Sequence, residues 1–233
     1  MTITKALADE TRVRCLLALR DQELCVCKIV DVLGGILPRG VTDPAVLTAM
    51  ERIDRGRFVR GLFSERAYED TPLPIACGQT ISQPSVVGLM TQALELTGRD
   101  KVLEVGTGSG YQAAILAQCG ARVTSIERDP DLARQASERL ARLGYDVDVV
   151  VGDGSAGYPP HAPYAGIVVG AGAPEVPEPL LAQLDDGGRL VVPIGGSRSQ
   201  RLTIVQRRGD SRETWTADAC VFVPLVGEHG HPA

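Results

Sequence analysis

VLEVGTGSGYQAAILA, residues 102–117, decides how the rest of the chain is read. An apolar run ending at Val105, glycines at positions 106, 108 and 110, and an Ala/Leu-rich stretch from Tyr111 describe a strand, a tight turn and a helix. The glycines let the backbone turn closely around a ligand. Their spacing is G-x-G-x-G, not the dinucleotide G-x-G-x-x-G, and tight turns alone also produce such loops, so the neighbours decide. Glu104 stands just before Gly106 and its turn, where a carboxylate would repel a pyrophosphate but attract the ammonium of a bound amino acid. S-adenosylmethionine carries that ammonium.

Working outward, KVLEV (101–105), RVTSIE (122–127), VDVVV (147–151), GIVVGA (166–171) and RLVVPI (189–194) are short, Val/Ile-rich and bounded by Gly, Asp or Pro, the pattern of buried parallel strands. Between the second and third, DPDLARQASERLARLG (129–144) reads as a helix. Asp129 caps it, Pro130 starts it, Leu132, Ala136, Leu140 and Leu143 share a face, and Gly144 stops it. Alternating strands and helices with short links imply right-handed crossovers and a doubly wound, Rossmann-like α/β sheet. RLTIVQRR (201–208) and ACVFVPLV (219–226) have no helix between them and are expected to pair antiparallel at one edge, with His229 and His231 in a flexible tail.

Open α/β sheets bind ligands at the carboxyl ends of their strands, and three successive strands end in acids there. Glu127 is placed to accept both ribose hydroxyls of a nucleoside, and Asp153, followed by Gly154, to meet an adenine amino group. Each acid alone is more often a cap or turn residue. Together with the glycine loop they favour S-adenosylmethionine as cofactor, with Glu104, Gly106, Thr107, Gly108, Ser109, Gly110, Glu127, Arg128, Asp153 and Gly154 as its candidate partners.

The chain has 233 residues, 44% of them hydrophobic, with 24 Lys+Arg against 29 Asp+Glu. A formal charge of −5 supplies no general basic field, which disfavours nucleic acid as a partner. The N-terminus is charged where a secretory signal is apolar, and no run approaches the roughly 18 apolar residues of a membrane span, so a cytoplasmic protein with reduced thiols and no membrane partner is expected. The three histidines have no metal-ligand company, and no metal site is expected.

Before Lys101 the pattern changes. GGILPRG (34–40) breaks the chain, and DPAVLTAMERI (43–53) starts a helix capped by Asp43. Residues 1–40 read as a helical appendage and 41–233 as the main domain. ALADETRVRCLLALRDQELCVCKIVDVLG (6–34) resembles the start of the ArsR-type repressors, whose ELCVC segment supplies thiolates to arsenite or related ions. Cys25 and Cys27, with Cys15 as a third donor, could hold a thiol-seeking ion, or they are small core residues. The resemblance stops before the helix that would enter the major groove, so DNA binding is not expected, although a thiol-based metal-responsive regulator stands as the rival class.

From about Val41 to about Gly227 the chain resembles the protein-L-isoaspartate O-methyltransferase family, through VTDPAVLTAMERIDRGRFV, AYEDTPLPIACGQTISQP, VLEVGTGSGYQAAILA, GDGSAGYPPHAPY, LLAQLDDGGRLVVPIG and FVPLVG. GQTISQP (78–84) and LEVGTGSGYQ are the specific parts. The resemblance implies methyl transfer from S-adenosylmethionine to the free α-carboxylate of isoaspartyl residues in aged proteins and peptides, a repair reaction. It also implies that Thr80 and Ile81 lie over the cofactor and that Ser82 takes the active-site role beside the acceptor. Alternatively Ser82 or Gln83 caps the helix that Pro84 opens. Cofactor residues leave the acceptor open, so a carboxyl methyltransferase for one peptide or small molecule is the second enzyme reading. A monomer is expected. Where the family usually has an aspartate after APY, this chain has Ala165-Gly166, which could lower activity or alter acceptor choice.

Overall fold

A computed structural model describes residues 34–59 and 61–232. The repressor-like stretch reaches only their first residue, so Cys15, Cys25 and Cys27 lie outside the described residues. Among the described residues, no helix is long and apolar enough to cross a membrane.

Helix α1, Pro44–Arg52, starts as its sequence dictates: the Asp43 carboxylate accepts the amides of Ala45 and Val46 at 2.8 and 3.0 Å, and Pro44 occupies the first turn. Two short strands, Leu73–Pro74 (β1) and Thr80–Ile81 (β2), pair antiparallel, with Leu73 opposite Ile81. Helix α2, Pro84–Ala93, follows at once. No side chain of its own N-cap residue, Gln83, closes it, and the cap comes from elsewhere: Asp70 accepts the Ser85 amide at 2.8 Å. Capping by Ser82 or Gln83 is therefore corrected.

The main sheet has seven strands: Lys101–Val105 (β3), Arg122–Glu127 (β4), Val147–Val151 (β5), Tyr164–Val169 (β6), Leu184–Gly196 (β7), Ser199–Arg208 (β8) and Ser211–Cys220 (β9). Their order is β5-β4-β3-β6-β7-β8-β9, parallel through β7 and antiparallel beyond. Helix α3, Tyr111–Gln118, links β3 to β4, and α4, Pro130–Arg142, links β4 to β5 with Asp129 as its cap. A short α5, Glu178–Ala182, precedes β7. The chain winds from β3 one way to β5 and returns to β6 on the other side, so the strand order switches between β3 and β6. A crevice outside their carboxyl ends follows from that topology.

Alternation along the strands divides the core between the two faces. Val102, Val123, Val168 and Val191 pack with Met50, Met90 and Ile115 on one face, while Leu103, Val105, Ile167, Val169 and Leu190 pack with Leu180 on the other. Ile36, fully buried, joins the first cluster from ahead of α1.

The expected edge strand is displaced. The last strand is SRETWTADAC, mostly exposed, whereas residues 221–226 leave the sheet and cross its carboxyl end. There the Gly172 amide donates to the Val223 carbonyl and the Leu225 amide to the Gly172 carbonyl, each at 2.8 Å. A polar edge strand has no apolar face to announce it, and the apolar run was apolar because it lies against the core rather than because it pairs. The tail is also held, against expectation. The His229 amide donates to the Ser155 hydroxyl at 3.0 Å and the His231 amide to the Leu225 carbonyl at 2.6 Å.

Candidate active site

A cavity of about 480 Å³ occupies the switch point. Its floor is the turn between β3 and α3, where Gly106, Gly108 and Gly110 have φ of 89, 53 and 84°, values open to glycine at little steric cost. Gly170, at the end of β6, donates its amide to the Val105 carbonyl at 2.8 Å, and a Cβ there would stand 3.3 Å from the Gly106 carbonyl oxygen. A side chain there would crowd the backbone of the glycine turn.

Three buried polar side chains run in sequence behind that turn. The Thr107 and Ser125 hydroxyls are 2.6 Å apart, and Ser125 donates to Oε2 of Glu104. Glu104 is 1% exposed, and among the described residues its other oxygen, Oε1, has no hydrogen-bond partner. Burial pushes its carboxyl up to about 8, with the Glu127 charge acting in the same direction against the Ser125 hydrogen bond and a weaker opposing pull from the Ala113 backbone amide, which does not reach hydrogen-bond geometry at Oε1. A buried oxygen without a donor is costly, and a cationic donor entering the cavity would relieve it.

Glu127 ends β4 at the cavity wall. Its Oε2 accepts the Gly108 amide at 3.0 Å and its Oε1 the Asp129 amide at 3.1 Å, which fixes the carboxylate while leaving lone pairs toward the cavity. Arg128 follows on the rim. Across from the turn, the β1–β2 hairpin sets Thr80, Ile81 and Ser82 along the opposite wall, with Ile81 2% exposed.

Eleven of the thirteen residues expected at the site therefore meet around one cavity: Thr80, Ile81, Ser82, Glu104, Gly106, Thr107, Gly108, Ser109, Glu127, Arg128 and Gly154. Two stand behind it. Gly110 is the N-cap of α3, packed so that a Cβ would meet Leu140 at 3.2 Å. Asp153 spends its carboxylate on the Ser155 amide and hydroxyl, at 2.9 and 2.7 Å, and on the Glu228 amide at 2.7 Å, thereby tying the tail to β5. Gly154, whose Cβ would strike Val105 at 2.5 Å, is the part of that pair on the wall.

Sequence reasoning missed Gly170 and the segment from Phe222 to Val226, which closes the cavity from the C-terminal side. A signal was present in FVPLVG, where Pro224 has no N–H to donate to a ladder and so interrupts regular pairing along the run. Ala165 and Gly166 lie at the start of β6, at the far end of the strand from Gly170, and neither lines the cavity. A Cβ at Gly166 would meet Leu94 at 3.2 Å, so glycine serves packing there.

A doubly wound sheet with a glycine turn at its switch point, a buried acid behind the turn and a second acid closing the next strand defines the class of Rossmann-like S-adenosylmethionine-dependent methyltransferase folds. Within that class, residues 33–230 match the protein-L-isoaspartate(D-aspartate) O-methyltransferase (PCMT) family, and the chain belongs to it. It is 58% identical to the protein-L-isoaspartate O-methyltransferase of Paracoccus denitrificans over 196 residues, covering 83% of this chain and 91% of the relative. The relative of the same name from Methanoculleus marisnigri is 53% identical over 196 residues, covering 84% and 89%. Among solved structures, a protein-L-isoaspartate O-methyltransferase superposes with a TM-score of 0.77 at 30% identity, covering 85% of this chain, which spans 66% of that longer one. A putative one from Plasmodium falciparum, in complex with S-adenosyl-L-homocysteine, gives a TM-score of 0.71 at 25% identity, covering 84% and 96%.

Proposed function

We propose that this chain is a protein-L-isoaspartate O-methyltransferase that uses S-adenosylmethionine to esterify the free α-carboxylate of isoaspartyl residues. The observation that carries the reading is the cavity wall itself. Gln79 to Ser82 of the GQTISQP segment share the cavity lining with a glycine turn backed by the Glu104 oxygen that lacks a hydrogen-bond partner among the described residues.

The residues present fit the cofactor. Glu104 would take its ammonium, which supplies the donor that Oε1 lacks. Glu127 would accept its ribose hydroxyls, Gly154 would allow its adenine to approach the backbone, and Ile81 would cover it with an apolar side chain. Bound there, the cofactor supplies an electrophilic methyl group on a sulfonium sulfur.

The acceptor carboxylate is ionised near neutral pH without help, so the protein need not remove a proton from it. None of the three histidines lines the cavity. What the chain would supply is alignment, with the Ser82 hydroxyl, which lines the cavity together with Thr80, holding the acceptor carboxylate. The ester oxygen would come from the acceptor so held, and its methyl from the cofactor that Glu104 and Glu127 would hold.

Methyl transfer from labelled cofactor to an isoaspartyl peptide, and to the same peptide with its α-carboxyl amidated, tests the acceptor atom. Ester label in the first alone is expected. Label in both, or in neither, would overturn the reading.

A further inference from the structure

Arg55 is fully buried although it carries a charge. It lies outside the cavity wall, in the 3-10 turn Arg55–Phe58, and nothing in the reaction described above uses it. Its Nη1 donates to the Ala67 carbonyl at 2.6 Å, and its Nη2 to the carbonyls of Thr71 at 3.0 Å and Ser82 at 2.9 Å. The guanidinium also stands 5.9 Å from the ring of Tyr111, the first residue of α3 after the glycine turn. Asp70 works on the same segment from its other end. One carboxylate oxygen accepts the Ser85 amide and the other the Gln83 side-chain amide, each at 2.8 Å.

An apolar side chain of similar volume would fill the Arg55 site without the penalty of taking a charge out of water. A rigid planar fork does something that filler cannot: it holds several carbonyls at fixed mutual positions. Here one of those carbonyls belongs to Ser82, and the ring beneath belongs to the helix that carries the glycine turn. The geometry points to Arg55, with Asp70, as the positioning pair that sets the GQTISQP hairpin in register with the cofactor turn and so aims Ser82 at the acceptor. Neither residue touches the reacting atoms; both act through the backbone of residues 82–85. This inference rests on the methyltransferase reading, because Ser82 is assigned to the acceptor there.

Arg55→Lys keeps the positive charge but replaces a fork with a point donor. Asp70→Asn keeps the shape and one good acceptor, and it is the milder variant should Arg55→Lys fold poorly. For both, turnover with isoaspartyl peptide is expected to fall at least about tenfold per folded enzyme, while S-adenosylhomocysteine affinity, held by Glu104 and Glu127, changes less than about threefold. The amides of residues 80–83 and 85 should exchange hydrogen faster in both variants, with the amides of β3 unchanged. In a double-mutant cycle, Ser82→Ala should cost little further once Arg55 is Lys, since the hydroxyl is already misplaced.

A lower melting temperature with unchanged turnover would make Arg55 a structural residue and overturn the inference, as would fully additive losses with Ser82→Ala. A wild-type enzyme that methylates no isoaspartyl peptide would instead overturn the reading beneath it. Exchange at residues 80–83 and 85 then still reports whether the pair orders this segment, and unchanged exchange in Asp70→Asn would overturn the pairing by itself.

Discussion

Glu104→Gln tests how the cavity holds its ligand. With its carboxyl pushed up to about 8 by burial, Glu104 is mostly protonated at pH 7 before a ligand binds. An incoming ammonium favours the ionised form, so binding must release that proton, at a cost of about 1.4 kcal/mol for each pH unit below 8. Wild-type affinity for S-adenosylhomocysteine should therefore rise up to about tenfold per unit between roughly pH 6 and 8, with close to one proton released per ligand bound at pH 7. Gln matches the neutral acid in shape and can still accept from the Ser125 hydroxyl. Its affinity should be flat with pH and, at pH 8, weaker by about 1.5–3 kcal/mol, the worth of a charged hydrogen bond. Calorimetric titration in two buffers of different ionisation enthalpy, at several pH values, measures both affinity and protons released. A wild-type dissociation constant that does not move with pH, without proton release, would rule out Glu104 as the ammonium's partner, as would a Gln variant that binds as tightly as wild type.

The same raised carboxyl makes a stability prediction for the ligand-free protein. The neutral form favours folding below about pH 4.5, and that contribution is lost as pH rises through about 8, so thermal melting of wild type should fall relative to Glu104→Gln across this window. Glu127→Ala should weaken S-adenosylhomocysteine binding by about 1.5–3 kcal/mol for each ribose hydrogen bond lost, read by calorimetry. An unchanged dissociation constant would remove Glu127 from the ribose. Ser82→Ala should lower turnover with isoaspartyl peptide about tenfold and shift stability by less than about 0.5 kcal/mol, because Asp70, not Ser82, caps α2. A large melting shift with unaltered turnover would make Ser82 structural.

The parallel half of the sheet was legible in the sequence for a simple reason. Strands β3, β4 and β5 are apolar runs with turn residues at both ends, and helices α1 and α4 carry Asp-Pro starts whose capping bonds form as chemistry requires. Glycine positions 106 and 108 and the acids 104 and 127 announced the cavity because their spacing repeats a backbone geometry. Residues whose role depends on distant partners were not legible. Asp153 looks like a strand-end acid facing a ligand, yet the amides of Ser155 and Glu228 claim it, and residue 228 is far along the chain. Nothing in DRGRFV distinguishes the buried Arg55 from the other arginines near it, since its burial is set by the carbonyls of residues 67, 71 and 82. The β9 strand was missed because pairing with β8 is a backbone matter and its exposed side chains carry no hydrophobic period.

The acceptor distinguishes isoaspartyl repair from other carboxyl methylation, and competition in a single tube reads it. Equal amounts of an isoaspartyl peptide and its ordinary aspartyl isomer, made distinguishable by an isotopic tag, are incubated with the enzyme and S-adenosylmethionine, and early methyl ester on each is read by mass spectrometry. Ester is expected on the isoaspartyl peptide alone. Equal esterification of the two isomers, or none on either, would contradict it.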